Sequence, residues 1–123
     1  MIQLDTNYLV AALRVGTPEE RQLGVWLRAN VPISISALEW AEFLCGPVDE
    51  PMRRLAEKVV TSIEPLRVED AEAGSTLFNL TGRRSRSLAD CLIAAVALRC
   101  KARLATNNLA DFEAFAEHGV ELL

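Results

Sequence analysis

The sequence contains few of the residues that support small folds by cross-links or metal ions. Its 123 residues include three cysteines and one histidine. Three cysteines without a C-x-x-C spacing do not make a disulfide framework, so we expect a reducing, cytoplasmic environment. A single histidine excludes a His-rich zinc site and catalysis by a pair of histidines.

Glycine, proline and long apolar runs are also scarce. There are six glycines and five prolines, while half of the residues are hydrophobic and 24% are charged, a composition typical of a globular chain. The longest apolar run, 91–98, is far shorter than the ~20 residues of a membrane span. Asp5 interrupts the place where a secretory signal would be apolar. We expect one domain over residues 1–123 and no membrane segment.

Positive charge is in the minority, and the net charge is −4. This argues against a protein that holds nucleic acid by bulk charge alone, unless several carboxylates surround a cation. One local exception is the group Arg83, Arg84 and Arg86. These cations are either a solvated loop or a guide for phosphate groups, and the sequence leaves both alternatives open.

Short apolar segments alternate with helical patterns along the whole chain. Strands are predicted at 2–4, 32–35, 62–66, 103–105 and 120–122. Helices are predicted at 8–13, 17–29, 36–46, 49–60, 69–81, 87–101 and 109–116. Two of them begin with the S-x-x-E or S-x-x-D pattern of a capping box, Ser36 to Glu39 and Ser87 to Asp90. The alternation predicts an α/β/α sandwich with a central parallel sheet.

Ligands bind such sheets beyond the carboxyl ends of the strands, which selects a few acidic residues. Asp5 directly follows the first strand and is either a helix cap or a ligand. Glu42 has no capping position, unlike Glu39, and is either a solvated residue or part of a site. Asp90 is the only charged residue of its apolar helix before Arg99. A capping box would explain it, but such a carboxylate could equally serve a metal.

A polar turn, Thr106 to Asn108, follows the fourth predicted strand, and Asp111 comes three residues later. A capped short helix with an acid in its first turn explains this segment. No catalytic triad and no glycine-rich phosphate loop is present. Carboxylates at strand and helix ends are therefore the remaining candidates for chemistry, and they are the ligand type that suits Mg²⁺ or Mn²⁺.

Four segments in order resemble the PIN-domain family, and more narrowly the ribonuclease toxins of VapBC-type toxin-antitoxin pairs. They are Leu4-Asp5-Thr6-Asn7, Ser36 to Gly46 with Ala41-Glu42-Phe43-Leu44, Ser87-x-x-Asp90 with Ile93-Ala94-Ala95, and Leu104 to Asn108 with Asp111-Phe112. The match covers nearly the whole chain.

The resemblance implies a PIN-like sandwich whose acidic pocket binds Mg²⁺ or Mn²⁺ and hydrolyses RNA through a metal-activated water. The family's acids fall on Asp5, Glu42 and Asp90, and its polar residue on Thr106. Thr6, Asn7 and Thr106 are then expected to orient the carboxylates. The family's fourth acid falls on Asn108, so Asn108 and Asp111 are possible further ligands.

The resemblance also implies a cognate antitoxin protein and a homodimer. The competing hypothesis is a PIN fold without activity that only binds RNA or protein. Asn108 favours that alternative, whereas the intact trio Asp5, Glu42 and Asp90 favours the nuclease. The sequence does not specify which RNA would be cut.

Overall fold

Five short parallel strands form the sheet at the centre of the computed structural model, which describes residues 1–123. They are β1 (Ile2–Leu4), β2 (Ile33–Ser36), β3 (Ser62–Glu64), β4 (Arg103–Ala105) and β5 (Glu121–Leu122). Their order is β3-β2-β1-β4-β5, and every neighbouring pair is parallel. The strand order therefore reverses between β1 and β4, the place where an open α/β sheet forms a ligand crevice.

Helices connect the strands as the alternation predicted. They are α1 (Thr6–Ala12), α2 (Pro18–Arg28), α3 (Ala37–Cys45), α4 (Glu50–Val59), α5 (Val68–Leu80), α6 (Leu88–Arg99) and α7 (Leu109–Phe112). The helix predicted at 109–116 is instead the single turn of α7 followed by a 3₁₀ helix, Glu113–His118. None of these helices combines the length and apolar character required to span a bilayer.

Two apolar clusters cover the two faces of the sheet. Leu4 and Ile35 pack with residues of α1 to α4, including Leu9 and Phe43. Leu104, on the other face, packs in a second cluster with residues of α5, α6, α7 and the 3₁₀ helix. Side chains alternate between the faces along each strand, which explains how three-residue strands serve both clusters.

Gln3, on the second face of β1, links two helices through one buried amide. Its Nε2 donates to Oε1 of Glu39 at 2.9 Å and to the carbonyl oxygen of Ile93 at 3.1 Å. Glu39 also completes the predicted capping box, since Oε1 accepts from the Ser36 backbone N–H at 3.1 Å. Burial is the main cause that raises the pKa of Glu39 to about 8. Glu39 is thus largely protonated at neutral pH, while it ties α3 to β1.

The capping box predicted at the start of α6 is absent. Ser87 has helical backbone angles, φ −92° and ψ −5°, and its side chain does not cap the helix. Its hydroxyl donates to the carbonyl oxygen of Arg84 at 2.7 Å. With these helical angles the Ser87 hydroxyl accepts no hydrogen bond from an amide of α6, so a capping box does not account for Asp90.

Candidate active site

Asp5 lies where β1 ends and α1 begins, and both of its carboxylate oxygens are bonded. Oδ1 accepts from the Thr6 backbone N–H at 2.9 Å, and Oδ2 accepts from the Thr106 hydroxyl at 2.8 Å. The residue is only 6% exposed. Burial raises the pKa of Asp5, while these two hydrogen bonds lower it and the charge of Asp111 raises it further. Asp5 is therefore both the cap of α1 and a buried acid at the β1–β4 crevice.

Thr6 connects Asp5 to the acid on α3. Its hydroxyl lies 3.0 Å from Oε2 of Glu42 and 3.1 Å from the carbonyl oxygen of Glu39. Glu42 is itself exposed, so this contact helps to fix an otherwise solvated side chain. Asn7 is exposed and its side chain forms no hydrogen bond to an acid, although it lines a depression with Thr6 and Glu42. The hydroxyls of Thr6 and Thr106 thus contact carboxylates, and the Asn7 side chain does not.

Asp90 lies in the first turn of α6, half-buried and without a hydrogen bond from any side chain. Its pKa is raised to about 6, first by burial and then by the charges of Asp111, Asp5 and Glu42. Arg84 opposes this shift. Four carboxylates from four parts of the chain therefore repel one another at one edge of the sheet, with too little positive charge to balance them.

Asp111 is closer to the candidate site than the sequence indicated. It lines a pocket of about 320 Å³ with Asp90, Arg84, Arg86 and two serines. Asp111 lies in the first turn of α7, as expected, and this turn places its carboxylate beside α6. Its position also explains the repulsion that Asp90 and Asp5 experience.

The arginine group divides in the folded chain. Arg84 and Arg86 line the pocket that holds Asp90. Arg83 lies over the ring of Phe78, 5.5 Å from its centroid, and bonds the side chain of Asn79. Only two of the three cations therefore adjoin the acids.

Asn108 contributes its backbone at this edge. Its N–H donates to the hydroxyl of Thr106 at 2.9 Å, and its side chain neither caps α7 nor forms another hydrogen bond. The Thr106 hydroxyl consequently accepts a hydrogen bond from Asn108 and donates one to Asp5, which fixes its direction.

The acids do not form a closed cage for a cation. No three side chains of Asp, Glu, His or Cys converge closely enough to hold one ion. Mg²⁺ does not require such a cage, because it keeps several waters and is held by one or two carboxylates. A hydrated divalent cation would also relieve the mutual repulsion that raises the pKa of Asp90. The oxygen donor set fits Mg²⁺ or Mn²⁺ bound partly through water.

The chain is similar in sequence to known proteins. Residues 2–117 match the PIN domain. The chain belongs to the PIN-domain family. A curated relative, the VapC ribonuclease Mb1587 of Mycobacterium bovis, is 35% identical over 81 residues. That match covers 61% of this chain and 60% of the relative, so it spans less than two thirds of the relative's length.

Solved PIN-fold structures agree with the fold. The Rickettsia felis VapBC2 structure, bound to a DNA fragment from its promoter, has a TM-score of 0.78 at 21% identity and covers 100% of this chain and 98% of that chain. A toxin-antitoxin complex from Klebsiella pneumoniae has a TM-score of 0.74 at 25% identity, covering 91% and 90% of the two chains. The parallel five-stranded sandwich is thus the fold of the PIN family, as the sequence predicted.

Proposed function

We propose that this protein is a metal-dependent endoribonuclease and the toxin of a toxin-antitoxin pair. The observation that carries the proposal is the unbalanced acid cluster around Asp90, at the carboxyl edge of the sheet. Burial, and then repulsion from the neighbouring acids, raises the pKa of Asp90, and a bound cation would offset both effects. The relatedness to a VapC ribonuclease supports RNA as the substrate.

The proposal assigns the three acids to metal binding and to orientation of the water. Asp5 and Asp90 bind Mg²⁺ or Mn²⁺, and Glu42 either joins them or orients the attacking water. When bound, the metal lowers the pKa of a water and neutralises charge on the phosphoryl oxygens. Thr106 and Thr6 hold Asp5 and Glu42 in position through the hydrogen bonds described above.

The reaction expected is hydrolysis by water in line with the leaving oxygen. The chain has a single histidine, so a pair of histidines cannot activate the 2′-hydroxyl, and the proposed nucleophile is water. The products should then be a 5′-phosphate and a 3′-hydroxyl. Asp111 lies beside Asp90 and adds charge for a cation, whereas Asn108 brings none.

Cleavage of a defined RNA in Mg²⁺, in Mn²⁺ and in excess EDTA tests this function. We expect cleavage with either metal, none with EDTA, and product ends that carry a 5′-phosphate. Undiminished cleavage in EDTA would contradict metal dependence. Retention of RNA binding without any cleavage would favour the alternative, an inactive PIN-fold binding module, for which Asn108 and the open arrangement of the acids are the supporting observations.

An antitoxin protein and a homodimer are the proposed partners. Similar solved chains come from VapBC complexes. The antitoxin is expected to lay an arm across the acid cluster and to present a basic side chain that competes with the metal. Expression of this chain alone in the cytoplasm should stop growth, and co-expression of its antitoxin should restore it. Unaffected growth without a partner would argue for the binding module.

A further inference from the structure

A second pocket adjoins the acid cluster at Thr106, and neither Arg84 nor Arg86 lines it. It measures about 470 Å³, and its lining includes Tyr8, Glu19, Gln22, Trp26, Thr106 and Asn107. Thr106 belongs to both places, because its hydroxyl bonds Asp5 while the residue forms part of the pocket wall. A group bound in this pocket would therefore lie next to Asp5. The volume falls within the ~300–1,000 Å³ range of small-molecule sites.

The pocket has an aromatic wall and a carboxylate. The rings of Tyr8 and Trp26 stack with centroids 6.0 Å apart and an interplanar angle of 29°. Glu19 is half-buried in the first turn of α2. Its Oε1 accepts from Nδ2 of Asn107 at 3.2 Å, which ties the α2 carboxylate to the turn after β4. Oε2 has no partner and is free to accept hydrogen bonds.

Helix stabilisation alone does not explain this arrangement. An acid in a first turn does favour the helix, and Glu20 provides one beside Glu19. Glu20, however, accepts a hydrogen bond from the nearby Gly16 N–H at 2.9 Å and does not line the pocket. The Glu19 side chain instead extends to Asn107, and this contact places its carboxylate in the wall of the pocket.

We propose that this pocket binds a guanine base of the RNA substrate beside the bond that is cut. The inference rests on the proposed nuclease function and specifies its substrate. Unstacked RNA bases bind by stacking on aromatic side chains and by hydrogen bonds along their Watson–Crick edge. Guanine presents two adjacent N–H donors on that edge, at N1 and N2, which match the two acceptor oxygens of one carboxylate.

The positions of the two pockets give the strand a path. The guanine lies on the Thr106 side of Asp5, the scissile phosphate lies at the acids, and a neighbouring phosphate lies at Arg84 and Arg86. Arg84 and Arg86 line the pocket of Asp90 and Asp111, and neither of them lines the base pocket. In this arrangement the protein recognises the sequence of the strand at one base, and the phosphate contacts position the remainder of the strand.

The two tryptophans of the chain allow base binding to be measured without any cleavage. In ¹H–¹⁵N spectra recorded without metal, Trp40→Phe assigns the remaining indole signal to Trp26. Titration with 5′-GMP should shift the Trp26 signal with a Kd at least ~10-fold lower than AMP, CMP or UMP give. Trp40 lies outside the pocket, so in the unmodified chain its signal should stay in place.

Glu19→Gln tests the recognition itself. A glutamine amide presents an NH2 donor group beside a carbonyl acceptor, which match N1 and N6 of adenine, so the variant should lose its preference for GMP and bind AMP at least as well. Glu20→Gln is the matched control and should keep the preference for GMP. Equal shifts by all four nucleotides, or an unchanged preference in Glu19→Gln, would overturn the guanine pocket.

Mapping of RNA ends distinguishes a failure of the guanine pocket from a failure of the proposed nuclease function. Cuts should cluster at one fixed distance from a guanine, and the clustering should disappear in Glu19→Gln. Cleavage with no base preference and no GMP binding would overturn the pocket and leave the nuclease standing. Selective GMP binding by a chain that cuts no RNA would support the pocket and overturn the nuclease.

Discussion

The Thr106 hydroxyl donates a hydrogen bond of 2.8 Å to Oδ2 of Asp5 and so joins the ends of β4 and β1. The oxygen of the Thr106 hydroxyl also accepts a hydrogen bond from the Asn108 N–H at 2.9 Å. The hydrogen of the hydroxyl is therefore directed to Asp5. The bond lowers the pKa of Asp5 against the effect of burial. Thr106 therefore helps to keep Asp5 ionised and aligned at the crevice.

Thr106→Val should weaken activity by about 10-fold, because the buried Asp5 loses a donor while the packing volume is nearly kept. The pH below which activity falls should move upward, since the pKa of Asp5 rises further without this bond. Thr106→Ser keeps the hydroxyl and is the control. A pH–rate profile measures both effects, and identical profiles for Val and Ser variants would exclude this role.

Asp90→Asn should reduce RNA cleavage at least ~100-fold, or about 2.7 kcal/mol of transition-state stabilisation. The fold should survive, because the Asp90 side chain forms no hydrogen bond and its charge is repelled by three other acids. The melting temperature at pH 7 should be unchanged or higher. Glu69→Gln, at an exposed first-turn acid of α5, should leave RNA cleavage unchanged. Full activity of Asp90→Asn would contradict the mechanism.

Stability should decrease as the pH rises from about 4 to about 8. The pKa of Glu39 is raised from 4.5 to about 8, and that of Asp90 from 3.8 to about 6. Between these limits the folded chain holds protons that the unfolded chain has released, so the free energy of unfolding falls as pH rises.

Glu39→Gln should flatten this dependence and stabilise the chain at pH 8, since an amide mimics the protonated acid. Urea unfolding across this pH range measures both effects. A wild-type stability that increases from pH 5 to pH 8 would contradict a protonated Glu39.

Replacing Arg84 and Arg86 together by Gln should weaken RNA binding and reduce the slope of log K against log salt by about 1.4, at ~0.7 per phosphate contact on a single strand. Arg83→Gln is the matched control, because Arg83 is held by Phe78 and Asn79 away from the acids. Binding titrations at several salt concentrations provide the measurement. Equal slopes for the double variant and the control would indicate that Arg84 and Arg86 are part of a solvated loop and do not contact phosphates.

Asp111→Asn should weaken Mn²⁺ binding several-fold, because Asp111 lies in the same pocket as Asp90 and adds a charge there. Asn108→Asp should tighten it, since a fourth acid of the family pattern would be restored. Calorimetric titration of both variants distinguishes the two positions. If neither variant changes the affinity, the turn after β4 does not serve the metal.

The order of elements was predictable because it rests on local signals. The Ser36 capping box, the apolar strands and the proline at the start of α2 each act within a few residues, and the structure contains all three. The box at Ser87 failed because Ser87 adopts helical backbone angles in a turn with no sequence signature, and its side chain does not cap the helix. The end of the helix predicted at 109–116 failed as well, since its last turns tighten to a 3₁₀ helix.

The candidate acids could be named from strand ends, but their surroundings could not. That Asp111 lies beside Asp90 depends on how α7 packs on α6, and that Arg83 separates from Arg84 depends on Phe78. The pocket of Glu19 and Asn107 joins residues that are 88 positions apart. No periodicity within one segment carries such information, because it arises only when the sheet is assembled.

Gln3 belongs to β1, the strand directly before Asp5. Its amide donates hydrogen bonds to α3, which carries Glu42, and to α6, which carries Asp90. The three elements should therefore open together in native-state hydrogen exchange, as one cooperative unit. Partial unfolding would then release all three acids at once and leave no half-assembled centre. A molecule with this connection is either fully folded at the acid cluster or locally unfolded there. Destabilising substitutions in β1 should therefore reduce the fraction of active molecules and leave the cleavage rate of the folded molecules unaltered.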